Sequence, residues 1–544
     1  MRGASGIVAA ALLAAPLAAA AALPPSVSSG AAQSRSRRER QRLERQQSHS
    51  GLHGPVLVGP HRRHQHAAKG GPSFTLKRVQ FSRSRFLAAR RLQALAKPYL
   101  HHPIHVADLY RLVTKVNGLY AKRGLVTDRA ILPPQRIRHG IVHIRLVEGR
   151  VGAFRIRGLR YTDRSFVTSR VPVTRNGQVL DSAELERELI WFDRTNDVAL
   201  KASLRPGSRF GLTNVLLQAV EPPRYRLDLL ANNEGERSTG RLQGGIYGLM
   251  YGPLGRGDRL SLYAVKSHGA FNGNFGYQIP LPARGLKLSL SAAHNDIHII
   301  DGPYQQLDIR GHADVGQLGL TRPLVAGRRW LVTAAASASY TEDRTDVGGV
   351  PLSRNYIWTP GAGVTAQYDR PGQSYLLTQT VERGFAREAL GQNRVYWMLP
   401  GSFSARLQVG GPVFATVSGG WQYSRAGNLP PSQLFQIGGA DTVPGYPVGA
   451  ASGVKGFYGH GAMHLRIARN ASLGLGYSNG AVYATYPSHT SLQSVDVGLR
   501  GRLPRMGRLG RVSWHFSLAH PMTTVVPDET HWIAYFSVVA PILF

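Results

Sequence analysis

The 544-residue chain contains no cysteine. Disulfides, thiolate nucleophiles, cysteine-based zinc sites and a lipidated N-terminal cysteine are therefore excluded, and any fold is held by burial and hydrogen bonding. Acidic residues are scarce: 31 Asp+Glu stand against 66 Lys+Arg, a formal net charge of +35. Such a charge attracts nucleic acid, anionic lipid and acidic proteins alike, so it selects no function by itself. After residue 24 no stretch reaches the roughly 18–20 apolar residues of a membrane helix. A mature chain of this kind enters a membrane only as a barrel. No G-x-x-x-x-G-K-[ST] loop, G-x-S-x-G elbow or H-E-x-x-H pair occurs. The reading is of a protein that is not an enzyme, with no catalytic residue, no cofactor and no metal site.

The N-terminus supplies the first positive signal. MRGASGIVAAALLAAPLAAAAAL has one Arg, a short apolar stretch interrupted by Pro16, and small residues suited to a signal peptidase. Residues 1–22 read as a secretory signal peptide. Export removes nucleic acid as a partner, and the positive charge then faces the periplasm, membrane lipid or an exported protein. Residues 23–72 follow as a polar N-terminal helix at about 33–47 and a linker. QSRSRRERQRLERQQ is polar on every face, with Arg38, Arg42 and Arg45 among its bases. A helix polar all round cannot pack into an apolar core. Composition favours a solvated basic arm, and the alternative is a helix inside a water-filled pore. The histidines of HRRHQH (61–66) and HHPIH (101–105) read as solvated loop residues, because linker position and Pro103 deny them the fixed geometry a metal needs.

Residues 74–220 carry an internal repeat. FTLKRVQF at 74–81 matches FRIRGLRY at 154–161, and each reads as a short strand. In the first unit, Leu109, Leu112, Val113, Val116, Leu119 and Tyr120 form the apolar stripe of a helix ended by Gly124. The strand GIVHIRLVEG follows at 140–149. In the second, DSAELERELIWFDR is a helix with Asp181 as N-cap and Glu184 completing a capping box. FGLTNVLLQAV at 210–220 closes the unit as a strand. Two small β-α-β domains are expected, at 73–150 and 151–221.

From 224 to 544 strand follows strand. RYRLDLLAN, GLKLSLS and RVSWHFSL alternate apolar and polar residues, and about 16 such segments occur, many of ~9–11 residues, the length that crosses a bilayer when tilted. A soluble sandwich also alternates, but the persistence of the pattern favours a 16-stranded transmembrane antiparallel barrel with a wet lumen. HWIAYFSVVAPILF ends the chain, with Trp532, Phe536, Val538, Ile542 and Phe544 in one register.

This order of parts resembles the two-partner secretion outer-membrane transporters, the TpsB family of haemolysin-activator/secretion type. The fold class that follows is mainly β: the barrel preceded by two small α+β POTRA domains and an N-terminal polar helix. LYAKRGLVTDRAILPPQ (119–135) and VHIRLVEGRV (142–151) resemble the family's first POTRA domain, LDSAELERELIWFDR (180–194) its second, and LFQIGGADTVPGY (434–446) its long inward-folding loop, here about 426–461. The resemblance implies a Gram-negative outer-membrane pore with its N-terminal domains in the periplasm. It implies export of a TpsA-like exoprotein, adhesin- or haemolysin-like, bound through the POTRA domains. It also implies that the helix at 33–47 plugs the pore at rest, and that the terminal Phe544 strand is read by the barrel-insertion machinery. The other partner is outer-membrane lipid, and the chain is expected to be monomeric. The alternative is an assembly factor or insertase of the same superfamily. Two POTRA copies and a polar plug favour secretion.

The same resemblance raises a question at the loop tip. In the superfamily the tip reads Val-Arg-Gly-Tyr/Phe, and the arginine pairs with an acidic residue of the barrel wall. Here the positions are Val443, Pro444, Gly445 and Tyr446, and the arginine is missing. Asp496, in SLQSVDVGLRG, stands where the wall's acidic partner is expected. Pro444 fixes φ and has no N–H, and Pro-Gly suits a type II turn. Three readings stay open: turn rigidity replaces the salt bridge, Lys455 or a wall arginine neutralises Asp496, or the loop has lost its anchor.

Overall fold

The computed structural model describes residues 28, 32, 56–58, 73–171, 177–388, 393–484, 489–524, 531–542 and 544. It divides into two compact units, residues 52–222 and residues 223–544 together with 1–51. The plug segment 33–47, with Arg38, Arg42 and Arg45, lies outside the described residues, as do the signal peptide 1–22 and the 61–66 histidines.

Residues 52–222 form two similar domains. The first contains β2 (Phe74–Thr75), β3 (Arg78–Phe81), α1 (Ala89–Ala96), β4 (Pro103–Ile104), α2 (Val106–Lys122), β5 (Arg129–Ile131) and β6 (Ile141–Val147). β3 lies parallel and β5 antiparallel to the central β6. The stripe Leu109, Leu112, Val113, Val116 and Tyr120 of α2 is buried against Val142, Ile144 and Leu146 of the alternating β6. Gly124 follows the helix with φ +74°, a left-handed exit that glycine adopts without a Cβ clash. His105 precedes α2, and its N–H donates to Asp108. The motif at 74–81 is two strands rather than one. Leu76 turns fully into the core, and the Gly140 carbonyl accepts from both Lys77 and Arg78, which breaks the run.

The second domain contains β7 (Arg150–Arg157), α3 (Arg164–Thr168), α4 (Ser182–Thr195), β8 (Ala199–Pro206) and β9 (Leu212–Val220). Its repeat motif stops as a strand at Arg157, because Gly158 turns to φ +89°; a Cβ there would meet the Ala219 carbonyl oxygen at 2.3 Å. Asp181 caps α4 by accepting from the Glu184 N–H at 2.9 Å. The sheet order is β1-β8-β9-β7, where β1 (Leu57–Val58) comes from the linker and lies parallel to β8. Val56, beside β1, is buried with Leu185, Leu189, Leu200 and Leu217. Ser182 ties the two domains: its hydroxyl accepts from Val126 N–H at 2.9 Å and donates to the Gly124 carbonyl at 3.1 Å.

The remaining unit is a closed antiparallel barrel of 16 strands. In chain order they are β10 (Tyr225–Asn232), β11 (Gln243–Tyr251), β12 (Arg259–Lys266), β13 (Ala270–Pro280), β14 (Lys287–His298), β15 (Ile309–Ala326), β16 (Trp330–Val347), β17 (Val350–Arg370), β18 (Gln373–Glu388), β19 (Asn393–Gly410) and β20 (Val413–Tyr423). Two short strands, β21 (Phe435–Ile437) and β22 (Ala451–Gly453), pair within a loop. The wall resumes with β23 (Lys455–Ala468), β24 (Ala471–Tyr483), β25 (His489–Arg502), β26 (Ser513–Pro521) and β27 (Ile533–Ile542). Each strand pairs with the next, and β27 closes on β10 with Ile542 opposite Leu227. Closure leaves no unpaired edge, the condition for backbone in lipid. Alternation sorts the side chains: Phe275, Leu318, Trp358, Trp397, Leu475 and Phe516 are exposed on the outer face, whereas Asn295, Asp343, Ser478 and Ser494 are buried on the inner one. β15 to β19 run to 16–21 residues, longer than the ~9–11 needed to cross a bilayer. Among the described residues no helix is long and apolar enough to span a membrane.

Candidate functional site

The inward loop runs from Ser424 to Val454. Residues 455–461, given to the loop from their glycine content, belong to β23. There Gly456 makes space for the ring of Phe435, which would lie 2.8 Å from a Cβ. Two apolar clusters seat the loop. Leu429, Leu434 and Val454 pack on Ile357, Ala386, Tyr396 and Met398 of β17, β18 and β19. Phe435, Ile437, Val443, Tyr446 and Ala451 pack on Val482 and Leu492 of β24 and β25. Polar contacts finish the seat: Ser424 Oγ donates to the Trp397 carbonyl at 2.7 Å, and Ser432 Oγ donates to Asp343 at 3.2 Å.

At the tip, Gly445 has φ +91°, the sign a type II turn requires at its third position. Its N–H donates to the Tyr535 hydroxyl at 3.1 Å, and a Cβ would meet Pro521 N at 3.1 Å. The turn thus lies directly on the backbone of β26. Val443 is fully buried and Tyr446 is 5% exposed. The Tyr446 hydroxyl sits between β25 and the segment after β26. It lies 2.7 Å from the Gln493 carbonyl and 2.7 Å from Thr523 Oγ1, and it accepts from Thr523 N–H at 3.0 Å. Within the loop, Thr442 Oγ1 accepts from Gly438 N–H at 2.8 Å, and Gly439 N–H donates to the Tyr446 carbonyl at 3.1 Å. The four tip residues therefore form one buried, hydrogen-bonded turn.

Asp496 lies on the lumenal face of β25, three residues beyond Gln493. Among the described residues, neither Lys455 nor a wall arginine is its partner. Lys455 faces Tyr483 and Asp496 faces Gly476. Those two β24 positions are seven residues apart, about 23 Å along a strand. The nearest basic side chain is His460, whose Nδ1 bonds Ser478 Oγ at 2.8 Å and stands 3.6 Å from Asp496 Oδ1, too far for a hydrogen bond. Gly476 makes the approach possible: a Cβ there would lie 2.5 Å from Asp496 Oδ1 and 2.8 Å from His460 Cε1. Sequence reasoning missed His460, Gly476, Tyr535 and Thr523. Only the strand register brings them to the tip, and no local motif marks them. Phe544 is 81% exposed beyond β27. Ala32 helps line a cavity of about 80 Å³ with Glu234, Gly438 and Asp441, inside the barrel unit.

In the first domain, burial pushes the Asp128 carboxyl up to about 6, although Gly149 N–H donates to it. In the second, burial pushes Asp193 up to about 7, although Leu200 N–H donates to it at 2.7 Å.

A closed barrel with a loop folded into its lumen, preceded by paired α+β domains, defines an outer-membrane protein of the POTRA-barrel class. Residues 74–149 match the POTRA domain of ShlB type, and residues 211–501 match the haemolysin secretion/activation proteins ShlB/FhaC/HecB. The chain belongs to that haemolysin secretion/activation family. It is similar to the heme/hemopexin transporter protein HuxB of Haemophilus influenzae, at 23% identity over 413 residues, 71% of each chain. It is also similar to the outer membrane transporter CdiB of Escherichia coli, at 28% identity over 223 residues, 39% of this chain and 37% of the other. The solved structure of CdiB from Escherichia coli superimposes with a TM-score of 0.68 at 20% identity, covering 96% of this chain and 99% of that one. The protein is an outer-membrane exporter of a partner exoprotein, with its POTRA domains in the periplasm.

Proposed function

We propose that this chain is the pore of a two-partner secretion pair in which a sheet edge of the periplasmic domains receives the exoprotein and the seated loop and N-terminal helix govern its passage. The observation that carries the reading is β1. Ala202 N–H on β8 donates to the Val56 carbonyl at 2.7 Å, so this edge already accepts an extended segment. An exoprotein strand is taken up by the same backbone bonds, with apolar pockets fixing its register. The helix at 33–47, with Arg38, Arg42 and Arg45, closes the lumen at rest and leaves when the exoprotein arrives. The loop tip, Val443 to Tyr446, keeps the lumenal loop seated on the wall that carries Asp496. The chain works as a monomer in outer-membrane lipid, and Phe544 marks it for the insertion machinery. Folding of the exoprotein outside gives the passage its direction. The test is export of an N-terminal fragment of the exoprotein encoded beside this gene, in cells with the protein intact or deleted. Export that requires the intact protein supports the reading. Export unchanged by deletion, with other barrels poorly assembled, transfers the function to an insertase.

A further inference from the structure

Charge is sorted between the two mouths of the barrel. β10 leaves the periplasmic domains, so the turns after β11, β13, β15, β17, β19, β23 and β25 lie at the periplasmic mouth. These turns carry Arg256, Arg284, Arg328, Arg329, Arg469 and three arginines within 503–512, all exposed except as they contact neighbours. Their acid, Asp258, is 1% exposed and engaged by the Tyr277 hydroxyl and the Leu254 and Arg256 amides. Among the described residues, the opposite turns carry Glu234, Glu236, Asp301, Asp308 and Asp441 against only Arg237, Arg241 and Arg425.

The sorting continues into the lumen. Arg406 of β19, Arg466 of β23, and Arg500 and Arg502 of β25 share the inward-facing register with His460 and Asp496, within the last turns of wall before the periplasmic mouth. Arg406 and Arg500 stand over one ring: their guanidinium carbons are 4.0 and 5.2 Å from the Phe414 centroid. His464 stacks on Phe414 at 4.8 Å and is held by Thr416 Oγ1 at 2.8 Å. Gly474 leaves room for that imidazole, since a Cβ would lie 2.4 Å from its Nδ1. The platform holds two planar cations in fixed positions. Among the described residues, Arg500 Nη2 is buried with no hydrogen-bond partner. The carboxylate on the lumenal face of β23 to β26, Asp496, has His460 as its nearest basic neighbour, at 3.6 Å.

We propose that the Arg406–Phe414–Arg500 platform, with Arg466 and Arg502, is a lumenal binding site for acidic segments of the polypeptide in transit, and that the arginine-bearing turns steer such segments to the mouth. This rests on the export reading above. Headgroups of the bilayer meet the outer face of the sheet, whereas these four arginines face the lumen, so the occupant is the chain passing through it. Exposed guanidinium–carboxylate pairs are individually weak. That suits a conduit, where a segment must enter and also leave.

The test uses the full chain in detergent and a fluorescently labelled 20-residue poly-glutamate peptide, with poly-glutamine of the same length as control, read by anisotropy. Poly-glutamate is expected to bind at least about tenfold more tightly than poly-glutamine at 0.1 M salt. The difference should vanish at 1 M salt, where the screening length falls from about 10 to about 3 Å. Arg406→Gln/Arg500→Gln is expected to lose about tenfold of the binding. Arg466→Gln/Arg502→Gln, whose side chains are exposed, gives a second reading free of the Phe414 packing. Equal binding of the two peptides overturns the proposal, as does undiminished binding by both variant pairs. Phosphatidylglycerol micelles that bind through Arg406 and Arg500 when poly-glutamate does not would overturn it in favour of lipid. Export of the exoprotein fragment by the same variants separates the two ideas. Export that persists without peptide binding removes the lumenal site and leaves the transporter reading intact.

Discussion

The Tyr446 hydroxyl is the most testable element of the loop seat. Tyr446→Phe keeps the ring, which is 95% buried against Val443, Val482 and Leu492, and removes one oxygen. Gln493 N–H keeps an acceptor, because Thr523 Oγ1 lies 3.2 Å away. Thr523 N–H, which donates to the hydroxyl at 3.0 Å, loses that partner. Thr523 is half-buried, so its orphaned donor costs up to the about 1–3 kcal/mol of a fully buried one, which shifts a loop-opening equilibrium by up to roughly 5- to 150-fold. The chain has no cysteine, so Val443→Cys places a single thiol at a fully buried position. A water-soluble maleimide then labels it only when the loop lifts, at a rate proportional to the open population while reclosing is fast. Labelling in the Tyr446→Phe background is expected to quicken by up to that factor. An increase below about twofold, roughly 0.4 kcal/mol, would refute the claim that this hydroxyl latches the loop.

Three further outcomes follow from other parts of the molecule. Asp128 and Asp193 have carboxyls raised by burial to about 6 and about 7, so the folded domains hold these protons more tightly than the unfolded chain. Their stability is greatest below the ordinary carboxylate range and falls as pH rises from about 4 to 7, by on the order of 3 kcal/mol for Asp193. Asp193→Asn, which keeps an acceptor for Leu200 N–H, should flatten that slope in the denaturant midpoint of the N-terminal unit between pH 5 and pH 8. Gly476→Ala forces His460 and Asp496 apart. It should lower the temperature at which the barrel loses its compact gel mobility, at a cost of about 1–3 kcal/mol, with Asp496→Ala relieving most of the loss. Val56→Asp removes about 2 kcal/mol of apolar burial and places a carboxylate in the second domain's core. Protease cleavage near residue 56 should accelerate at least about tenfold, and an unchanged rate would show that β1 is not held by this side chain.

Much of the fold was legible because alternation and stripes are local. The α2 stripe, the alternating β6 and the outward aromatics of the barrel each follow from spacing of two or 3.6 residues. The break at Leu76–Lys77 was not legible, since it depends on the Gly140 carbonyl 63 residues away in sequence. Nor was β1: LV in a histidine-rich linker carries no strand signal, and only the open edge of β8 makes it one. At the loop, the Pro-Gly turn could be read from two adjacent residues, whereas its anchors could not. Tyr535 is 90 residues from Gly445 and Thr523 is 77 from Tyr446. The basic neighbour of Asp496 required register: His460 approaches it diagonally across β24 through the gap at Gly476. Among the readings left open by the sequence, the cation offered for Asp496 is Lys455 or a wall arginine, not His460.

The missing arginine can now be weighed against what occupies its place. An arginine bridging loop to wall would couple two features that here are separate. The loop tip is held by the Gly445 N–H on Tyr535 and by the Tyr446 hydroxyl on β25 and Thr523. The wall carboxylate has as its nearest basic neighbour His460, itself a wall residue, at 3.6 Å. Separate anchors respond separately. Asp496→Ala leaves every tip hydrogen bond in place, so labelling of Val443→Cys should stay within about twofold of the parent rate. Pro444→Arg is not expected to restore a bridge, because the turn is already seated on Tyr535 and Thr523 by its own hydrogen bonds. Pro444 is buried, and the substitution frees φ at the turn and places an unpaired guanidinium where a ring packed. Burying an unpartnered charge is strongly unfavourable, so the variant should label faster than the parent by at least about tenfold. If Asp496→Ala loosened the loop as much as Tyr446→Phe, or if Pro444→Arg tightened it, the tip and the carboxylate would be one coupled latch and the separation argued here would be wrong.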